Sequence, residues 1–501
     1  MLAYKTASAS LLLIATRLLT RFGDLITLLV LAYVLKPADF GLVALAASLI
    51  FITESVFELP LVEVVLRADV LERSHLDTAF TLSALRGLGV MVIVLLLAWP
   101  FAHFYHDPRL TPLIAVLSLS PGTRGLQSPK LITYIKALSF WRSSAIELSG
   151  KVMALVIAVT IAVLTKSYWA IAAGTVVAPV TMSFVSFFLA PYRPRLCLTQ
   201  WRYFAGFLGW TSLAQVIRSI TWQSDTMLLG RISGHLELGL FTTASSLSSI
   251  PLLAILQPIY RPLLASISSV KHDPERLRRA YQLTSIAAIT VGLPALVGES
   301  MLAKPLIQVL LGSRWLAAAP MMNYLTLSII PCLFALPFGP MVMALNQAHY
   351  FPRRNAFELC VKLPVLIVCG IKFGVFGIIA ARVISEVAVA IYCATLVRRI
   401  IGLGMLRQLM GPWRSYVSTL LMAAGVIILR MQLQAVFFNI RPIFLLASLA
   451  SAGATIYIAS LAVLWLGCGR PPGIEHIVYQ NITRLAHLPL AKPASRESDL
   501  A

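Results

Sequence analysis

Charged residues are scarce in this sequence of 501 residues. They account for 12% of it, about half of what a soluble globular protein carries. Hydrophobic residues account for 58%, and the mean hydropathy is +0.84. Because there are too few polar side chains to cover a water-exposed surface, the composition excludes a soluble globular protein and predicts an all-α protein that crosses a membrane many times.

Several sequence motifs of enzymes are missing. The chain has no G-x-x-x-x-G-K-[ST], no H-E-x-x-H and no G-x-S-x-G, so it offers no recognisable site for ATP hydrolysis, zinc proteolysis or serine-dependent hydrolysis. The six cysteines fall mostly in apolar runs and lack metal-ligand spacing, which favours small core residues over disulfides or a zinc site. We therefore expect a protein that is not an enzyme and that uses neither a metal nor a cofactor.

Acidic residues are half as numerous as basic ones. The sequence has 20 Asp and Glu against 41 Lys and Arg, a net charge of +21. In a soluble protein this excess would favour nucleic-acid binding, but membrane proteins concentrate Lys and Arg in their cytoplasmic loops. More than twice as many basic loop residues fall on the side of the N-terminus as on the other side. The sequence thus predicts no nucleic-acid partner and places both termini in the cytoplasm.

Apolar runs of about 20 residues are long enough to cross the membrane as helices. The sequence has fourteen such runs, joined mostly by short connections that leave no room for a large external domain. The predicted spans are 9–35, 40–66, 76–104, 110–136, 142–165, 167–191, 204–230, 236–262, 281–305, 316–345, 356–372, 374–397, 413–433 and 441–466.

The sequence also repeats itself at an offset of 198 residues. Gly41-Leu42 aligns with Gly239-Leu240 and Pro60 with Pro258, without a gap over the region from Leu31 onward. Six spans separate the two copies, so both enter the membrane in the same direction and predict two parallel six-helix bundles around a central cavity. The predicted division is 1–198 and 199–400 for the bundles, 401–470 for two accessory C-terminal helices, and 471–501 for a cytoplasmic tail.

Charged residues within the spans are costly and need a reason. Three pairs have a structural one, because residues spaced i,i+4 neutralise each other on one helix face: Glu147 with Lys151, Glu358 with Lys362, and Arg382 with Glu386. The remaining charges fall about 9 to 21 Å from the cytoplasmic edge, in one slab of the membrane. A shared depth predicts an aqueous cavity, and the alternative is a set of separate interhelical ion pairs, with Arg17–Glu54 first among them.

Most of the charges in this slab are arginines. A guanidinium group stays protonated and presents a fork of donors that fits phosphate. We therefore predict a site for an anionic, phosphate-bearing substrate formed by Arg17, Arg21, Arg86, Arg124 and Arg218.

The fourth predicted span, 110–136, contains Ser120-Pro121-Gly122 and Ser128-Pro129. Proline and glycine interrupt the hydrogen bonds of a helix, and lipid offers no partners for the backbone groups that are left. Two interpretations stay open: a broken helix whose backbone faces protein or water, or a span that ends near Ser120 and continues as a loop.

Three strings of the sequence accompany this topology: Pro37-Ala38-Asp39-Phe40-Gly41 after the first span, Leu229-Gly230-Arg231 with Leu238-Gly239-Leu240-Phe241, and Pro129 through Phe140-Trp141-Arg142. In the topology and in these strings, the chain resembles the polysaccharide transporter family, the Wzx-type flippases for lipid-linked oligosaccharides, over about residues 5–470. The superfamily of these flippases also includes multidrug extruders and the lipid II flippase.

The resemblance implies transport by alternating access, in the bacterial cytoplasmic (inner) membrane. The implied substrate is a polyprenyl-diphosphate-linked oligosaccharide repeat unit, exported for a surface or extracellular polysaccharide. Membrane lipids, a polysaccharide polymerase and export machinery are the other implied partners. The family's cationic lumen maps onto the five arginines, and Asp24, Glu54 and Asp225 become candidates for ion coupling.

Two other functions fit parts of the sequence. A drug or metabolite exporter of the same superfamily has the same topology, but cationic drugs favour an acidic lumen. A membrane polysaccharide polymerase or glycosyltransferase needs a sizeable external loop, and the predicted external connections are too short to provide one.

Overall fold

The computed structural model describes residues 2–59, 61–67, 72–202, 210–252, 263–264, 266–436 and 441–469. Twenty α-helices account for most of these ranges. In the N-terminal part they are α1 Leu2–Val34, α2 Pro37–Val56, α3 Leu61–Arg67, α4 Arg73–Tyr105, α5 Leu110–Leu117, α6 Leu119–Arg124, α7 Leu131–Lys136, α8 Trp141–Thr165 and α9 Trp169–Leu189.

The second part of the chain is also helical. Its helices are α10 Trp210–Ile232, α11 Gly234–Ser248, α12 Pro274–Met301, α13 Ala303–Leu310, α14 Ala318–Ser328, α15 Ile330–Ala335, α16 Phe338–Ala344, α17 Tyr350–Ile401, α18 Met405–Met410, α19 Trp413–Val436 and α20 Pro442–Gly467. The predicted tail at 471–501 lies outside the described residues.

The predicted class, an all-α protein that crosses the membrane many times, is confirmed. In the ranges that the structure describes, nine helical segments are long and apolar enough to cross a membrane; the total of fourteen spans stays a prediction. The longest segment, α17, has 52 residues and departs from helical geometry at Gly374, with φ 59° and ψ −136°. This break falls where the sequence separates the predicted spans 356–372 and 374–397.

The fourth predicted span is a broken helix. Helices α5 and α6 continue through Pro121 and Gly122, the chain turns at 125–130, and α7 resumes the path. Serines of α9 satisfy the freed backbone: the Ser186 hydroxyl accepts from the Ser128 amide at 2.9 Å, and the Ser183 hydroxyl donates to the Thr123 carbonyl at 2.6 Å. The interruption is therefore tolerated because it faces protein.

Two glycines join the halves at one end of the molecule. We call the end where α1 begins the N-terminal face and the opposite end the far face. A Cβ on Gly41 would lie 1.9 Å from the His235 carbonyl oxygen, and a Cβ on Gly239 would lie 1.7 Å from the Pro37 carbonyl oxygen. These glycines are the pair aligned by the sequence repeat, and their missing side chains let α2 and α11 touch backbone to backbone.

Apolar packing closes the far face around this crossing. Leu42 and Leu45 of α2 lie in one buried cluster with Leu229 of α10 and Leu238 of α11. Trp315 belongs to the same cluster and donates from its indole Nε1 to the Ala32 carbonyl at 2.9 Å. The two parts of the chain are thus sealed together at the far face.

Candidate functional site

A cavity of about 950 Å³ lies among the N-terminal helices. All its lining residues fall between Asp24 and Met182, on α1, α3, α4, α6, α7, α8 and α9 and on the connections before α3 and α7. It is therefore an open cavity formed by the first half of the chain alone, and it differs from the central cavity expected between the halves. Its charged lining side chains are Asp24, Glu58, Arg86, Arg124, Glu147 and Lys151.

Two of the predicted arginines meet at one wall of this cavity. The Arg124 guanidinium lies 3.2 Å from the Glu54 carboxylate, and Arg86 donates to the Glu54 backbone carbonyl at 3.2 Å. The predicted Arg17–Glu54 pair is wrong, because the broken path of α5–α7 brings Arg124 to Glu54 from another helix.

At a second wall, an ion pair joins α1 to α8. The Lys151 ammonium bonds to the Asp24 carboxylate, and eight residues earlier on α1, the Thr16 hydroxyl donates to Ser144 at 2.8 Å. The predicted pairing of Lys151 with Glu147 is wrong, since these parallel helices face each other along this line. Glu147 stays exposed at the cavity and has no ion-pair partner among the described residues.

The other predicted arginines do not line this cavity. Arg17 and Arg21 on α1 and Arg218 on α10 are exposed, and the described part of the chain provides no ion-pair partner for them. The five arginines therefore form two groups: Arg86 and Arg124 beside carboxylates at the cavity, and three unpaired guanidinium groups elsewhere.

The second half contains a buried counterpart of the Asp24–Lys151 pair. The Lys362 ammonium lies 2.9 Å from the Asp225 carboxylate and donates to the Thr221 carbonyl at 2.8 Å. Both charged side chains are only 7% exposed. The predicted Glu358–Lys362 pair is wrong, because Glu358 pairs with Arg354 at 3.2 Å.

The third pairing predicted from i,i+4 spacing is not a direct ion pair. Arg382 makes no ion pair with Glu386 in the described ranges. Its guanidinium lies 3.3 Å from the Ser245 hydroxyl and 5.7 Å from the centre of the Trp222 ring. Helix α17 therefore directs this charge toward helices α10 and α11.

Sequence reasoning missed a polar cluster at the far face. Arg109 donates to Asp107 through its guanidinium at 2.7 Å, and the His235 Nε2 atom lies 2.8 Å from the same carboxylate. Burial by itself raises the pKa of Asp107, but hydrogen bonds from Arg109 and His235 outweigh it and hold that pKa below the ordinary carboxyl value. Because Asp107 follows α4 and His235 lies in the first turn of α11, this cluster ties the two halves together.

The missed contacts have one feature in common, the long separation of their partners along the chain. Asp107, Lys151 and Lys362 are each paired with a residue more than 120 positions away, so spacing along the chain does not reveal them. A comparison of the halves offers one pattern: an aspartate on α1 pairs with a lysine on α8, and an aspartate on α10 pairs with a lysine on α17.

Among the described residues, no group of three or more His, Cys, Asp or Glu side chains is arranged to hold a metal ion.

Comparison with known protein families identifies a match over more than half of the chain. The family described as "Polysaccharide biosynthesis protein" matches residues 30–320. The Lipopolysaccharide biosynthesis protein WzxC of Escherichia coli K12 is 23% identical over 81% of this chain and 84% of its own length. The Succinoglycan biosynthesis transport protein ExoT of Rhizobium meliloti is 24% identical over 62% of this chain and 64% of its own.

Solved structures share the fold at low sequence identity. The Lipid II flippase MurJ in an inward closed conformation superposes with a TM-score of 0.68 and 13% identity, over 91% of this chain and 99% of its own. A multidrug resistance MATE family transporter in an inward-facing conformation superposes with a TM-score of 0.56 and 15% identity, over 78% of this chain and 98% of its own. Both likenesses concern the arrangement of the helices.

Proposed function

The chain belongs to the polysaccharide biosynthesis protein family, and on this premise we propose that it translocates a polyprenyl-diphosphate-linked oligosaccharide across the bacterial inner membrane. The names of WzxC and ExoT, which refer to polysaccharide biosynthesis and transport, support this substrate class. The product of the transport would supply a surface or extracellular polysaccharide, and a polymerase with its export machinery would take it over.

One structural observation carries the proposal: a large cavity with charged side chains in its lining lies among apolar helices. Charged side chains inside a membrane are costly and mark substrate pathways, and six of them line this cavity. The apolar seal is at the far face. With the N-terminal face toward the cytoplasm, as the loop charges predict, this arrangement suits a state that receives its substrate from the cytoplasmic leaflet.

We propose that transport alternates access by moving 1–198 against 199–400, with 401–470 as accessory helices. The close crossing of Gly41 and Gly239 would separate when the far face opens. This motion would release the sugar unit at the outer leaflet.

The unpaired arginines are the best candidates to bind the diphosphate. Arg17, Arg21 and Arg218 have no carboxylate partner in the ranges that the structure describes, so their donors are available for a phosphate. Arg86 and Arg124 are held by Glu54 and would contact the substrate inside the cavity. Of the carboxylates predicted for ion coupling, Asp24 is 43% exposed and Asp225 only 7%, which favours Asp24 as the group that exchanges an ion or a proton.

The test is to replace Arg17 and Arg21 together with Ala in cells that depend on this protein. We expect surface polysaccharide to stop and lipid-linked units to accumulate on the cytoplasmic leaflet. The matched control is Arg276→Ala with Arg279→Ala, two arginines near the start of α12 whose side chains are 75% and 76% exposed. Full polysaccharide output from a normally inserted double variant would show that the arginine assignment is wrong.

A drug exporter is the second candidate, because Asp24, Glu58 and Glu147 line the cavity and carboxylates attract cationic drugs. The fold it shares with a MATE transporter suits this function as well. A resistance assay separates the two: a drug exporter raises tolerance to cationic compounds and leaves polysaccharide output unchanged.

A further inference from the structure

We propose that the cavity within the first half receives the sugar part of the lipid-linked substrate, while the diphosphate stays outside it at Arg17, Arg21 and Arg218. This inference rests on the proposed function and assigns different chemical parts of one substrate to two places. It follows from the charge, the polar lining and the shape of the cavity.

The lining of the cavity is balanced in charge. Three cationic and three acidic side chains line it. Each of the cations already has a partner. Arg124 pairs with the Glu54 carboxylate, Arg86 donates to the Glu54 carbonyl, and Lys151 pairs with the Asp24 carboxylate. A diphosphate in this space would have to displace these oxygens and would lie near Glu58 and Glu147, and like charges repel. The cavity therefore disfavours the most anionic part of the substrate.

Groups that both donate and accept hydrogen bonds make up much of the remaining polar lining. Gln127 contributes an amide, and Ser83, Ser128 and Ser143 contribute hydroxyls. The Ser143 oxygen is buried and lacks a hydrogen-bond partner. Sugar hydroxyls also donate and accept, so they match amides, hydroxyls, carboxylates and guanidinium groups together.

The cavity is long, and small residues line part of its walls. Along α8 its lining extends from Ser143 to Ala158, about 22 Å at the rise of an α-helix. Ala154 of α8 and Ala178 of α9 also line it, and their short side chains leave the space open. A chamber of this length suits a chain of sugar rings better than a single phosphate group.

The test fills the cavity and varies the length of the sugar. The variants are Ala178→Trp and Ala154→Trp, on two different helices. Their matched controls are Val180→Trp and Val156→Trp, on the same helices but at positions 43% and 52% exposed and absent from the cavity lining. The probes are polyprenyl diphosphate carrying one hexose and the complete lipid-linked unit extracted from cells that lack the protein, both assayed for flipping in proteoliposomes.

We expect each cavity-filling variant to lower flipping of the complete unit by about tenfold or more, as a steric mismatch in a pocket does. The single-hexose lipid should flip at the wild-type rate, which also shows that the variant is folded. Both controls should flip both lipids normally.

Two results would overturn the inference: equal loss of both lipids in the two cavity-filling variants with normal controls, or normal flipping of the complete unit in both. Failure of the proposed function gives a different result, because the wild-type protein would then flip neither lipid.

Discussion

The two halves of the chain use the same ion pair in opposite environments. In the first half, Asp24 of α1 bonds to Lys151 of α8, and these side chains are 43% and 34% exposed at the cavity. In the second half, Asp225 of α10 bonds to Lys362 of α17, and both are 7% exposed. Equivalent helices thus support a polar chamber in one half and a packed interior in the other.

The difference shows that an ion pair does not by itself indicate a function. A buried pair loses its hydration, and each member then depends on the other. A partly exposed pair keeps water as an alternative partner, so it separates at little cost. The first-half pair is therefore suited to exchange partners during transport, and the second-half pair is suited to hold two helices together.

The largest effect is expected from removing one partner of the buried pair. Lys362→Ala leaves the Asp225 carboxylate buried and unpaired, which typically costs about 3–5 kcal/mol of stability. Thermal unfolding in detergent, followed by size-exclusion chromatography, should show a strongly destabilised or aggregated protein.

The matched control replaces both partners, Asp225→Leu with Lys362→Met. Two apolar side chains of similar size leave no buried charge, so the double variant should recover most of the lost stability. A double variant as unstable as Lys362→Ala would mean that packing, and not the charge, is responsible.

The next effect concerns the seal between the halves. Gly41→Ala places a methyl group against the His235 carbonyl and should destabilise the sealed arrangement by about 1–3 kcal/mol, as overpacking does. A cysteine at Leu42, which is 1% exposed, in a background without native cysteines should react faster with a membrane-impermeant thiol reagent added at the far face.

Gly89→Ala is the control for this experiment, because nothing lies within 4 Å of a Cβ at that position of α4. It should leave the labelling rate at Leu42→Cys unchanged. Equal labelling in the Gly41 and Gly89 variants would contradict the close crossing of α2 and α11.

An effect of comparable size is expected at the polar cluster of the far face. Asp107→Asn removes the carboxylate shared by Arg109 and His235 and should weaken the seal by about 1–3 kcal/mol, the usual cost of a lost charged hydrogen bond. The same thiol-labelling assay at Leu42→Cys measures it, with the exposed helix cap Asp273→Asn at the N-terminal face as the control.

The pKa of Asp107 also gives this contact a pH dependence. Because the pKa is lowered in the structure, the carboxylate stabilises the seal above the ordinary carboxyl range, and this contribution is lost only as the pH falls through the lowered value. Because the reactive thiolate becomes rarer as the pH falls, labelling of Leu42→Cys is compared at each pH with that of a fully exposed cysteine, and this ratio should stay constant from pH 8 down to about 4. A rise in this ratio near pH 6 would contradict the assignment.

Hydropathy and the internal repeat were sufficient to predict much of the fold. Apolar runs placed the boundary at Gly374, and the repeat aligned Gly41 with Gly239 before their contact was visible. The boundary was predictable because the thickness of the membrane sets the length of a spanning helix. The crossing was predictable because only glycine allows two backbones to approach so closely.

The ion pairs were not predictable from the sequence. Spacing of i,i+4 places Glu147 near Lys151, but which partner the lysine takes depends on how α8 is rotated against α1. Depth in the membrane was likewise not enough to predict which arginines face the cavity. It placed Arg17 and Arg86 in one slab but did not show that Arg86 faces the cavity of the first half while Arg17 lies outside its lining.

The smallest change in stability is expected at the exposed pair, and it provides the sharpest test of the comparison. Lys151→Ala should cost no more than about 1 kcal/mol, since water replaces the lost partner of Asp24, against the much larger cost of Lys362→Ala measured in the same unfolding assay. Transport should nevertheless fall in Lys151→Ala, because the cavity gains an unneutralised carboxylate facing the substrate. Equal destabilisation by the two lysine variants would mean that both pairs are structural, and Asp24 would then lose its proposed role in ion coupling.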